Sequence, residues 1–168
     1  MKLFNKLLIV LIVIAASCND SKKQESNSIS SFQAEIEKVK LTSLKGMPID
    51  MKQYNGKAVF INFWATWCKP CIEEMPTIKK AMALFNDEKI EFIFASDEST
   101  EEIQAFENEH GYGFNYTRVG NMEDLNIIGL PTTFIFDKDG KQVFSEMGYR
   151  KWDDKANVDL LLQIAKRE

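Results

Sequence analysis

One histidine and three cysteines in 168 residues leave little from which to build a metal centre. A structural zinc site takes four ligands, and beside the pair Cys68 and Cys71 the chain offers only His110 and Cys18. Metal ligation is therefore a poor account of that pair. Positive charge is also short: 21 Lys and Arg stand against 25 Asp and Glu. With Lys2 and Lys6 of the first 17 residues set apart, 19 basic side chains remain against 25 acidic ones, a net charge of −6. No basic stripe forms, which argues against a nucleic-acid partner. The run Leu7 to Ala16 is apolar throughout but only ten residues long, about half of what a transmembrane helix needs. No internal repeat is visible. An apolar content of 45% is ordinary for a globular core, and the length suits one domain with an N-terminal addition.

That addition has a recognisable order. Lysines, then the short apolar run, then small residues before Cys18 read as a secretory signal over residues 1–17. Ala15-Ala16-Ser17 before Cys18 resembles the lipobox of bacterial lipoproteins, with Ala15 where leucine is usual. The resemblance implies that Cys18 is acylated and holds the chain to a membrane. Residues 18–31 are polar and rich in Ser, Asn and Lys, and read as a flexible tether spanning roughly 20 Å. Residues 32–168 are left for the folded domain. The implied place is the bacterial cell envelope on the periplasmic side, where disulfides form and persist.

The chemistry lies between Asn62 and Cys71. Ala58 to Trp64 is an apolar, aromatic-rich run that reads as a buried strand, and a helical pattern starts behind Cys68 and Pro70. Cys68 is thus expected at a helix N-terminus, where unpaired N–H groups and the helix dipole favour a thiolate. An ordinary thiol, with a pKa of roughly 8.5, is only about 3% ionised at pH 7, so this placement matters. Cys71 lies one helical turn on, within reach to close on Cys68 and expel whatever it has bound. A purely structural disulfide here would close too small a loop to restrain the unfolded chain much.

Further along, Ile72, Met75, Ile78, Met82 and Phe85 mark a buried helix face, interrupted by Pro76, which is expected to kink the helix. Ile90 to Ala95 reads as a strand. Ser99-Thr100-Glu101-Glu102 fits a capping box opening a helix over Thr100 to His110, with Gly111 as its stop. His110 is best explained as a favourable charge at that helix's C-terminus. Strands Thr133 to Phe136 and Gln142 to Met147 form a hairpin around Asp137 to Gly140. A last helix, from Asp153 or Asp154, buries Val158, Leu161, Leu162 and Ala165. Short strands are expected between Phe32 and Tyr54. This order describes an α/β fold, a central mixed sheet flanked by helices.

Lys57 to Pro76, with Phe63-Trp64-Ala65, Trp67-Cys68, Pro70-Cys71 and Glu74-Met75-Pro76, resembles the thioredoxin superfamily, and within it the envelope-tethered TlpA/ResA-like thiol-disulfide oxidoreductases. Gly129-Leu130-Pro131-Thr132-Thr133 resembles that family's second signature. The resemblance implies a thioredoxin-like fold with short N-terminal strands added, Cys68 as the attacking and more exposed thiol, and Cys71 as the resolving one. It makes Pro131 a cis-proline that leaves the Leu130 backbone open to an extended substrate, and Trp67 part of the contact surface. It implies no cofactor. The partners would be disulfide-containing envelope proteins and a membrane thiol electron donor; relatives of this kind also reduce apocytochrome c. Asn62 stands where thioredoxin has a buried aspartate, so another group must move protons for Cys71. Glu74, three residues past Cys71, is the candidate: desolvation near the thiols would raise its pKa toward neutrality. The competing view is a solvated acid in the first helical turn. Two other functions compete with disulfide reduction, a peroxidase of the peroxiredoxin type and a non-catalytic envelope binding module.

Overall fold

The structure, a computed structural model, describes residues 35–85 and 89–166. The expected signal (1–17), the tether (18–31) and Cys18 lie outside the described residues. In chain order the elements are β1 (Leu41–Ser43), a 3-10 turn (Met51–Tyr54), β2 (Ala58–Phe63), α1 (Lys69–Met82), β3 (Ile90–Ser96), α2 (Thr100–His110), β4 (Tyr116–Val119), β5 (Thr132–Phe136), β6 (Gln142–Met147) and α3 (Lys155–Ala165). The six strands form one mixed sheet in the order β1-β4-β3-β2-β5-β6. β3 is parallel to β2 and to β4, while β1, β5 and β6 are antiparallel to their neighbours.

β2 runs through the middle of the sheet, and all six of its residues are buried. Its alternating side chains feed two cores, as a strand covered on both faces must. Ala58 and Phe60 enter one cluster with Met75 and Ile78 of α1, Ile103 and Phe106 of α2, and Leu161 and Ile164 of α3. Val59, Ile61 and Phe63 enter the other, closed by Ile36, Val39, Leu41 and Met51 from the N-terminal segment. Side chains of all three helices thus pack into the first cluster, and the early segment covers the opposite face.

α2 starts and stops where its sequence signals lie. Ser99 Oγ accepts from Glu102 N, the Glu102 carboxylate accepts from Ser99 N, and Gly111 ends the helix with φ +62°. Ser99→Ala is expected to lower the unfolding free energy by about 1 kcal/mol, seen as an earlier urea midpoint with unchanged slope. An unmoved midpoint would mean that the cap does not support the fold.

Three details differ from the sequence reading, and a fourth concerns Pro76. β4 is an added strand, inserted between β3 and β1; at four residues with Arg118 exposed, it has neither the length nor the apolar run that marks a strand. Among the described residues before Tyr54 there is a single short strand, with a bridge from Thr42 to Pro48 beside it. α1 continues through Pro76, whose exposed ring lies on its outer face, so the proline that was expected to kink the helix does not end it. In α3 the fully covered residues are Asn157, Leu161 and Ile164, while Val158, Leu162 and Ala165 are half-buried. Asn157 is drawn inward because its amide donates to Lys151 O and accepts from Arg150 Nε.

Candidate active site

β2 ends at Phe63, and the chain turns through Ala65 and Thr66 into α1. That turn is pinned from the loop just after β3: the Glu98 carboxylate accepts from Thr66 N at 2.7 Å and Thr66 Oγ1 at 2.6 Å, and from Ser96 Oγ at 3.0 Å. Trp64, behind the turn, is fully buried against Phe106 and Tyr116. Trp67 is 74% exposed.

Cys68 is the N-cap of α1, its carbonyl accepting from Cys71 N at 3.0 Å and Ile72 N at 3.2 Å. Pro70 fits the first turn because N–H groups there have no intrahelical acceptor. The sulfurs of Cys68 and Cys71 are bonded at 2.02 Å. Cys68 is 3% exposed and Cys71 not at all, so the first is the more accessible by a narrow margin and only its edge meets solvent. Lys69, between them, extends into solvent near Glu73 at 3.9 Å. Its charge is screened there and acts weakly on the sulfurs.

The Leu130–Pro131 peptide is cis. Phe63 pairs with Thr132 in the sheet, so Pro131 sits at the end of β2 from which the cysteine turn departs. Pro131 is buried and Leu130 half-buried; Pro131 O accepts from Gly148 N at 2.7 Å. Met147, opposite Thr132, and Tyr149 are exposed, adding apolar surface along this margin.

Glu74 occupies the inward face of α1 one turn past Cys71 and is 1% exposed. A solvated acid does not describe it. Its Oε1 accepts from Trp152 Nε1 at 2.5 Å and from Arg150 N at 3.3 Å, and its Oε2 from Asn62 Nδ2 at 3.4 Å. Burial pushes the carboxyl up to about 7; the three donors pull it back in part, and nearby Glu146 adds to the rise. Asn62, wholly buried on β2, also donates to Thr133 Oγ1 at 3.1 Å. Among the described residues its Oδ1 has no partner.

Three of these participants were not legible in advance. Trp152 and Arg150 come from the segment after β6, 78 and 76 residues from Glu74. The only hint was a tryptophan set among charges, Arg150-Lys151-Trp152-Asp153-Asp154, where an apolar ring needs a buried destination. Glu98 left no signal beyond following an apolar strand. His110 stays apart from the site, in the last turn of α2 with its ring edge on Phe106 at 4.1 Å. Among the described residues no three His, Cys, Asp or Glu side chains are grouped to hold a metal ion.

A mixed sheet with a cysteine pair opening a helix and a cis-proline at the neighbouring strand end defines a thioredoxin-like protein. The fold agrees with a thiol-disulfide isomerase from Corynebacterium glutamicum at TM-score 0.64 and 17% identity, over 71% of this chain and 88% of that one. It also agrees with StoA from Bacillus subtilis at TM-score 0.58 and 16% identity, over 76% and 95%. The chain belongs to the AhpC/TSA family, whose profile matches residues 32–144. It is 37% identical over 112 residues to the thiol-disulfide oxidoreductase ResA of Bacillus anthracis, a match covering 64% of this chain and 65% of that protein.

Proposed function

We propose that the chain is a thiol-disulfide oxidoreductase that reduces disulfides of envelope proteins through Cys68 and Cys71. The observation that carries this reading is the cysteine pair at the first turn of α1, its two sulfurs at bonding distance. The name of the 37% identical relative supports the same chemistry.

In the dithiol form the helix N-terminus favours a thiolate at Cys68. That thiolate attacks one sulfur of the substrate disulfide; the new S–S bond forms, the old one breaks, and the departing sulfur takes a proton from solvent. Cys71 then gives its proton to the Glu74 carboxylate and attacks Cys68 Sγ. The mixed disulfide breaks, the second substrate sulfur leaves as a thiolate that takes a proton from solvent, and the Cys68–Cys71 bond closes. Two electrons have passed to the substrate, and a membrane dithiol donor returns them. A carboxyl titrating near 7 suits this proton exchange at neutral pH. Trp67, Leu130 and Pro131 receive an extended stretch of the substrate around its cysteine.

The envelope setting rests on the lysines, apolar run and Cys18 of the first residues: a lipid on Cys18 tethers the domain on the periplasmic side. Apocytochrome c before haem attachment is the narrower substrate reading, and it rests on resemblance alone.

Trapping tests the whole. With Cys71→Ala the first exchange proceeds and the second does not, so Cys68 is expected to accumulate protein adducts in intact cells that dithiothreitol releases. Absence of any dithiol-sensitive adduct sinks the reading. Peroxide turnover without disulfide exchange would instead place the chain with peroxidases, and a partner retained by Cys68→Ser would indicate a binding module.

A further inference from the structure

We propose that Trp152 is a positioning residue for Glu74: its indole N–H holds one carboxyl oxygen in place on the inward face of α1, one helical turn past Cys71, as a proton acceptor. The inference rests on the proton-exchange reading of Glu74 and adds the group that sets it.

Trp152 is 1% exposed, and its indole cannot turn freely. The ring meets Phe60 edge-on at 4.7 Å and Phe144 at 5.8 Å, with the Arg150 guanidinium 5.5 Å above it. Its own backbone N–H donates to Thr77 Oγ1 at 3.1 Å, and that hydroxyl donates to Glu74 O at 2.7 Å. Trp152 is therefore tied to the Glu74 turn of α1 through both main chain and side chain. Of the three donors to the carboxyl, the indole at 2.5 Å is much the closest. Indole N–H is a donor only, so it serves a carboxylate and not the proton of a carboxylic acid.

The other groups around Glu74 do not replace it. β2 contributes neutral Asn62, and β6 contributes Glu146, whose charge opposes ionisation. Arg150 sends its guanidinium to Glu146 and Asn157, and only its backbone N–H reaches Glu74.

The test reads the Glu74 carboxyl directly, by carbon NMR of the oxidised protein, where neither cysteine titrates. Glu74→Gln assigns the resonance. Trp152→Phe keeps an aromatic ring without the N–H, and benzothienylalanine at position 152 keeps the full ring shape if phenylalanine fails to fold. Either change is expected to move the midpoint upward by about one to two pH units, the size of one charge-assisted hydrogen bond. An unmoved midpoint in folded benzothienylalanine protein overturns the proposal. A shifted midpoint with an unaltered pH profile of disulfide exchange would uphold Trp152 and remove Glu74 from the reaction.

Discussion

Serine in place of Cys68 is expected to silence disulfide reduction, with turnover of a protein disulfide falling by at least about a thousandfold. A hydroxyl remains protonated at neutral pH, and no helix N-terminus lowers its pKa far enough to make it a comparable nucleophile. The fold should be untouched. Position 68 is the N-cap of α1, a place that suits serine well, and the bond to Cys71 closes a loop too short to restrict the unfolded chain appreciably. A thermal melt beside the wild type, together with a turbidity assay of disulfide reduction, separates lost chemistry from lost structure. Turnover above a few per cent of wild type would show that Cys68 is not the attacking group.

Glu74→Gln carries the second large effect, and it reads on stability as well as on rate. The folded carboxyl titrates at about 7, against 4.5 for an ordinary glutamate. Between those values the folded protein keeps a proton that the unfolded chain releases, so stability falls as pH rises from 4.5 to 7 and is level above that window. The full span corresponds to about 3 kcal/mol. Glutamine removes the slope while its oxygen still accepts from Trp152. Relative to wild type, Glu74→Gln is expected to gain about 3 kcal/mol on going from pH 4 to pH 8, measured by urea unfolding at both. Parallel pH dependences in the two proteins would mean that Glu74 titrates as an exposed acid does. Exchange kinetics should lose a limb near pH 7 in the same variant.

The readable parts of the chain were those whose signals are local. Cys68 and Pro70 at a strand-to-helix junction, Ser99 with Glu102, and Gly140 in its hairpin each act within a few residues, and spacing alone locates them. The cis form of the Pro131 peptide followed only from resemblance, because nothing in Gly129-Leu130-Pro131 dictates an isomer. β4 was missed since four residues containing an exposed arginine carry too little pattern. The cage around Glu74 was out of reach for a different reason. Its donors approach from β2 and from beyond β6, and such a meeting is fixed by how the sheet folds over α1, not by any repeat along the chain. Asn157 shows the same limit on a smaller scale: an amide at an inward helical position is unexpected until Arg150 and Lys151 O are seen beside it.

The margins of the sheet bear on how many copies can crowd together without sticking. β1 is three residues long and already bridged to Pro48, a residue with no N–H to offer a newcomer. At the far side, β6 slips register against Ile135 and Phe136 and exposes Glu146. Among the described residues, a short bridged strand at one border and a register shift with an exposed charge at the other disfavour pairing with a second sheet.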